Sequence, residues 1–134
     1  MKITVRWEII GGKRVLYYEF QPAWNWDEFF AIKAEADPML AGEEKPVPIV
    51  FDLRYAPNMP PGMIVQSRNV AESRHPNGSP VILMGANRLV QATFDIVKRM
   101  LGENSDKLTG DVVVLRTWDD VAMYLASHPK NPDL

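Results

Sequence analysis

The chain has 134 residues, a length that fits one domain with its own core, and we treat residues 1–134 as a single unit. The formal net charge is −2 and there is no cysteine, so the composition excludes disulfides and thiolate chemistry and offers no basic surface for nucleic acid. No stretch approaches the roughly 18 apolar residues of a membrane-spanning helix, and the N-terminus alternates like a strand, so we expect a cytoplasmic protein without membrane attachment.

The chain opens with an antiparallel hairpin. Residues 3–9 and 14–20 alternate between apolar and polar side chains, as half-buried strands do. Gly11 and Gly12 lie between them and suit a turn with positive φ angles.

The first helix begins after Asn25, whose side chain can cap the first turn while Glu28 reaches back to complete a capping box. Apolar residues then follow at helical spacing, namely Phe29, Ile32, Ala36 and Leu40. The Asp37-Pro38 pair predicts that this helix ends or kinks there.

The centre of the chain predicts a buried strand that leads into a helix. Residues 47–53 are apolar up to Asp52, which is typical of a strand covered on both faces. After a short loop, Pro61 fits the first turn of a helix because proline lacks the N–H group that would be unpaired there. We expect this helix to reach about Arg74.

The remaining elements alternate in the same way. Residues 75–80 form a strong turn cluster that contains a glycosylation sequon at Asn77, which we interpret as a turn. A strand at 81–84 precedes a helix capped by Asn87 and ended by Gly102. The predicted apolar face of that helix consists of Leu89, Val90, Thr93, Phe94, Val97, Met100 and Leu101.

The last predicted strand spans 111–115, and Thr117 with Asp120 starts a final helix by the same capping chemistry as the first. Residues 126–134 are expected to form a flexible tail. The order is therefore ββαβαβαβα, an α/β fold with a mixed five-stranded sheet covered by four helices, in which the later strands are parallel.

The order of elements and the central turn resemble the STAS domain, the family of anti-sigma-factor antagonists related to SpoIIAA. Asp52-Leu53 matches the end of the family's central strand, and Gly62 with Met63 falls where the family has Gly-Leu at the start of a helix. The resemblance covers nearly the whole chain and implies a SpoIIAA-like fold.

Three positions before Gly62 depart from the family's Asp-Ser-Ser-Gly pattern: Met59, Pro60 and Pro61 replace the acidic residue and both serines. In the antagonists the second serine is the phosphoacceptor, and proline has no hydroxyl to modify. The resemblance therefore implies the fold without the phosphorylation switch. A loosely defined SpoIIAA-like group also includes members thought to bind apolar ligands.

Other candidate sites have simpler structural explanations. We expect Asp52 to cap its loop or to pair with Arg54 rather than act as a phosphoacceptor. Residues 85–88 could form an anion site at a helix start, but a glycine followed by a helix cap is common at such junctions, and we interpret them as an ordinary cap. The aromatic cluster around Trp24 and Trp26 is interpreted as a helix packed on the sheet, with an exposed anchor for a partner as the alternative.

The sequence contains no motif for acid–base, nucleophilic or metal-assisted catalysis, so we predict a protein that is not an enzyme and needs no cofactor. The leading hypothesis is a regulatory or interaction module that binds a protein partner or a second copy of itself. The alternative is a protein that binds a small apolar, lipid-like ligand between the sheet and the helices. The candidate surface at the carboxyl end of the sheet comprises Arg54, Met59, Pro60, Pro61, Gly62, Met63, Met84, Asn87 and Arg88.

Overall fold

Five strands form one sheet in the order in which they follow along the chain, β1-β2-β3-β4-β5. The computed structural model describes residues 1–127. The strands are β1 (Ile3–Ile10), β2 (Lys13–Phe20), β3 (Val47–Asp52), β4 (Gly78–Met84) and β5 (Val112–Leu115). β1 and β2 are antiparallel and every later pair is parallel, which confirms the predicted mixed sheet. Gly11 and Gly12 both have positive φ, as the predicted turn requires.

The helices are α1 (Trp26–Ala41), α2 (Met63–Glu72), α3 (Arg88–Leu101), α4 (Ser105–Thr109) and α5 (Trp118–Ser127). A short 3₁₀ turn, Gly102–Asn104, joins α3 to α4. The sequence predicted four helices, and α4 was missed because five polar-rich residues carry too little periodicity to be recognised.

The sheet has two apolar faces that differ in what covers them. On the first face, Tyr18 and Ile49 belong to a cluster with the buried side of α1. On the second face, Val50 and Ile82 belong to a cluster with α5. Successive side chains of one strand point to opposite faces of the sheet, so they belong to different clusters.

Helices α1 to α3 connect successive parallel strands in one direction across the sheet. Right-handed connections of this kind bring their helices to one face. The first face is accordingly the one that packs against several helices.

Several predicted boundaries differ from those in the structure. Pro38 lies inside α1 and does not end it, because Ala36 and Leu40 are buried on either side and hold the last turn. β4 begins at Gly78 rather than at residue 81, because Gly78 pairs with Val47. The predicted turn is therefore restricted to residues 75–77, where Asn77 donates to the carbonyls of Leu40 at 3.0 Å and Glu43 at 3.1 Å.

Helix α2 begins at Met63 rather than at Pro61 because Gly62, with φ of 83°, adopts the left-handed conformation and cannot be part of a right-handed helix. On α3, Leu89 and Met100 of the predicted apolar face are 62% and 47% exposed. The predicted tail begins inside α5, which includes residues 126 and 127, and the rest of it lies outside the described residues.

The two predicted capping boxes have different outcomes. Asn25 accepts a hydrogen bond from the backbone of Glu28 at 2.8 Å, but the Glu28 carboxylate binds the backbone of Ile3 at 2.9 Å instead of closing a capping box. It thereby fastens the start of β1 to α1. Thr117 and Asp120 form a complete reciprocal capping box, as predicted.

Candidate functional site

Asp52, at the carboxyl end of β3, lies in a closed network on the second face of the sheet. Its side chain is fully buried. It accepts hydrogen bonds from the Tyr17 hydroxyl and from Arg54, whose backbone N, Nε and Nη2 donate at 3.1, 3.0 and 2.9 Å. The prediction that Asp52 caps its loop or pairs with Arg54 is confirmed, since it does both.

The electrostatics of this network hold the carboxylate ionised. Burial alone would raise the pKa of Asp52, but hydrogen bonds from Arg54 and Tyr17 outweigh it and hold the pKa below its usual range. Burial, together with the hydrogen bond to Asp52, raises the pKa of the Tyr17 hydroxyl well above its usual range. The charged and hydroxyl groups of Asp52, Arg54 and Tyr17 thus satisfy one another by hydrogen bonds, which favours a structural role for the network.

Gly85 explains how the Arg54 side chain reaches Asp52. A Cβ atom at Gly85 would lie 2.4 Å from Cγ and 3.0 Å from Cα of Arg54, and φ at Gly85 is 79°. Only glycine therefore allows the loop after β3 to cross this closely over the end of β4. Beyond this crossing, the Arg54 guanidinium lies 5.1 Å from the ring centroid of Tyr55.

The methionines of the predicted surface at the carboxyl end of the sheet do not all lie on the same side of the sheet. Met59 and Met63 are partly buried and pack against the first-face cluster. Met84 is fully buried in the second-face cluster, so its assignment to the predicted surface is wrong. Strand parity explains the error, because Met84 shares the orientation of Ile82 and lies opposite to Leu83.

The remaining residues of the predicted surface are accessible to different degrees. Pro60 is partly buried, whereas Pro61 and Gly62 are exposed. The Asn87 side chain accepts from Val90 N at 2.9 Å and donates to the Pro57 carbonyl at 2.6 Å. Asn87 therefore caps α3, as the simpler interpretation held, and ties the loop 53–62 to it. Arg88 is the exposed first residue of α3.

The aromatic cluster is part of the core. Trp24 and Trp26 are 4% and 9% exposed, so the alternative interpretation, an exposed anchor for a partner, is wrong. The Trp26 Nε1–H donates to the Pro61 carbonyl at 3.0 Å. This bond joins the start of α1 to the loop that precedes α2.

An apolar chamber of about 150 Å³ lies between the first face of the sheet and the helices α1 to α4. The sheet contributes Tyr18, Phe20, Ile49, Phe51, Val81, Leu83 and Val112, and α2 and α3 contribute Ser67, Val70, Ala71, Val90, Thr93, Phe94 and Val97. Trp24, Trp26 and Phe29 close the end near the start of α1. The chamber lies where the alternative hypothesis expected an apolar ligand, between the sheet and the helices, although no sequence pattern identified its lining residues.

Few polar groups line the chamber, and most are already engaged. Lys33 Nζ lies 2.9 Å from Asp37 Oδ2, and Arg74 is held by Asp111 at a distance of 2.6 Å. Burial, assisted by the charge of Asp37, raises the pKa of Tyr18 well above its usual range, so its hydroxyl stays neutral.

A surface groove between α1 and α2 adjoins the chamber. It is lined by Phe30, Lys33, Ala34, Asp37, Asn69, Glu72 and Ser73. Lys33 and Asp37 line both the groove and the chamber, so this ion pair stands between the interior and solvent. The Lys33 side chain is only 15% exposed. We refer to this pair as the neck of the chamber.

Among residues 1–127, no group of three or more His, Asp or Glu side chains is arranged to hold a metal ion. No helix in the same range is long and apolar enough to cross a membrane.

Comparison with known proteins gives a match in structure and none in sequence. No protein-family profile and no curated protein matches the chain. The fold is similar to the crystal structure of an uncharacterised protein of the DUF3478 family, with a SpoIIAA-like fold, from Shewanella loihica PV-4. The TM-score is 0.61 at 11% identity, over 90% of each chain. The SpoIIAA-like fold is thereby confirmed, and Pro61 in the place of a serine stays a prediction.

Proposed function

We propose that this SpoIIAA-like chain is a non-enzymatic protein that binds a small apolar ligand in the chamber between the sheet and its helices. The observation that carries the proposal is the chamber itself, which measures about 150 Å³ and has walls built mostly from aromatic and aliphatic side chains. An engineered apolar cavity of about this volume in another protein binds benzene. The chamber is thus large enough for one ring or a short branched alkyl group.

The titratable groups support binding rather than catalysis. The two carboxylates whose pKa lies below the usual range, Asp52 and Asp111, are each held by an arginine and line no part of the chamber. A catalytic acid or base needs a pKa matched to its task and access to the substrate. The cytoplasmic location stays a prediction of the sequence.

Filling the chamber from one helix tests the proposal. Val70 lines the chamber from α2, whereas Val65 on the same helix is 60% exposed and lines no part of it. Val70→Phe would place extra ring atoms in the space that the ligand needs. We expect the native protein and Val65→Phe to bind benzene-sized probes, as measured by ligand-observed NMR, and Val70→Phe to lose this binding. Equal binding by all three proteins, or none by the native protein, would contradict the proposal.

A second candidate function is the protein-interaction module that the sequence favoured. It is supported by exposed apolar side chains in the loop after β3 and in the first turns of α2 and α3. These are Tyr55 at 53%, Ile64 at 37%, Val65 at 60% and Leu89 at 62% exposure. In parallel βαβ units these helices start at the same edge of the sheet. A regulatory role would operate through contact at this edge.

Self-association gives the direct test of this second function. Met59 and Met63 are unsuitable for substitution because they pack against the core. We instead propose Val65→Asp, with Met123→Asp on α5 as the matched control, because Met123 is also exposed, at 70%. A dimer of the native chain should appear in sedimentation and be lost only in Val65→Asp. If the native chain stays monomeric at high concentration, self-association is excluded, and the partner would have to be a different protein.

A further inference from the structure

We infer that the ligand of the chamber is a neutral molecule with a ring and a hydrogen-bond acceptor, and that the acceptor is bound by Nε1 of Trp24. This inference rests on the proposed ligand-binding function and adds the chemical class of the ligand. It starts from one buried polar atom, on a residue that lines the chamber, for which the described residues provide no hydrogen-bond partner.

The Trp24 indole N–H is buried without an acceptor anywhere in residues 1–127. Trp24 itself is only 4% exposed and lines the chamber. A buried donor without a partner is costly, and native proteins seldom leave one unless a water or a ligand completes it. The neighbouring Trp26 has the usual arrangement for a buried indole, since its N–H donates a hydrogen bond to the Pro61 carbonyl.

The surroundings of Trp24 favour a ring in the ligand. The centroid of the Trp24 ring lies 5.0 Å from that of Phe20, 4.9 Å from that of Trp26 and 6.4 Å from that of Phe29. Edge-to-face and offset contacts at such distances stabilise aromatic groups beyond their apolar area. A ligand ring at this end of the chamber would extend a network of the same kind.

The charges around the chamber favour a neutral ligand. The chamber is lined by Lys33 and Arg74, but Lys33 is paired with Asp37 and Arg74 with Asp111. A buried carboxylate or phosphate would therefore lack a free cation, and the burial of an unpaired charge is far more costly than that of a carbonyl. Ketones, esters and aryl ethers satisfy the indole N–H without this cost.

A pair of probes with the same shape isolates the hydrogen bond. Acetophenone carries a carbonyl acceptor, and α-methylstyrene replaces that oxygen with a methylene group. We expect Trp24→Phe to weaken the binding of acetophenone about tenfold and that of α-methylstyrene less than about twofold, because only the ketone accepts a hydrogen bond. Trp26→Phe is the control, and it should leave the ratio of the two affinities unchanged.

A second measurement uses the native protein and does not depend on a variant folding correctly. The chain has four tryptophans, and each gives one indole N–H resonance. Acetophenone should shift the Trp24 resonance downfield, whereas α-methylstyrene should not. If both probes bind but neither the ratio of affinities nor the Trp24 resonance distinguishes them, this inference is overturned while the binding function stands. If neither probe binds the native protein, the proposed function fails as well.

Discussion

Replacing Asp52 with asparagine is expected to destabilise the fold strongly at neutral pH. The carboxylate is fully buried and accepts hydrogen bonds from Tyr17 and from three nitrogen atoms of Arg54. Asparagine has nearly the same shape, but it carries no charge and presents an NH₂ group where donors converge. The substitution thus leaves the arginine without its counter-charge and at least one donor without an acceptor.

The magnitude follows from how deeply each partner is buried. Removing one partner of a fully buried ion pair costs about 3–5 kcal/mol. The Arg54 side chain keeps 31% exposure, so water compensates part of this loss. Asparagine also retains one oxygen that can accept from Tyr17. We therefore expect the free energy of unfolding to fall by about 2–3 kcal/mol, which lowers the melting temperature of a domain of this size by roughly 6–12 °C.

The pH dependence provides a second, independent measure. Because the pKa of Asp52 is lower in the folded protein than in the unfolded chain, its stabilising contribution is complete above the unfolded value of about 3.9. That contribution is lost as the pH falls through the folded pKa. The difference in unfolding free energy between the native protein and Asp52→Asn should thus be full at neutral pH and shrink from about pH 5 downward.

Urea denaturation followed by tryptophan fluorescence, repeated from pH 7 to pH 3, measures both quantities. Asp95→Asn on the exposed side of α3 is the matched control, and we expect it to change the free energy of unfolding by less than about 0.5 kcal/mol. If Asp52→Asn is as stable as the control, or if its deficit is the same at pH 7 and pH 3, the structural role assigned to this network is refuted.

Two further substitutions test the loop crossing and the neck. Gly85→Ala should lower the free energy of unfolding by about 2 kcal/mol or more, because it combines positive-φ strain with a clash against Arg54. The control Gly12→Ala has a similar φ but no atom within 4 Å, and it should lower the free energy of unfolding by only about 1 kcal/mol. Equal losses of the two variants in chemical denaturation would mean that the crossing is not tight. Lys33→Ala should speed the exchange of bound probes in NMR line-shape measurements and leave affinity within about threefold, because it removes one of the two side chains of the neck and none of the apolar wall. Lys107→Ala, which alters a lysine that lines neither cavity, should match the native rate.

Most of the fold could be predicted because its signals are local. Alternation in the hairpin, the apolar run that ends at Asp52, and the caps at Asn87 and Thr117 each depend on a few adjacent residues. The errors arise where a distant contact decides. Pro38 stays helical because Ala36 and Leu40, two residues to either side of it, are buried, and β4 begins early because Gly78 pairs with β3.

The candidate site could be predicted only in part. The Asp52–Arg54 pair follows from two residues close in sequence, but the third member, Tyr17, comes from another strand. The misplacement of Met84 was avoidable, because strand parity sets it opposite to Leu83. An apolar ligand between the sheet and the helices was one of the two hypotheses, but the size and lining of the chamber could not be predicted, since a void depends on how completely side chains from several elements fill the space between them.

The order of the strands has a consequence for how the protein is made. Every strand pairs with its neighbour along the chain, so the sheet can grow from the hairpin one strand at a time during synthesis, with each new helix covering the first face as it emerges. The second face has no such cover until α5, which follows all five strands and buries Val121 and Leu125 against it. A ribosome that pauses before α5 would hold a finished sheet with one bare apolar side, and this nascent form is the one that chaperones would be expected to bind.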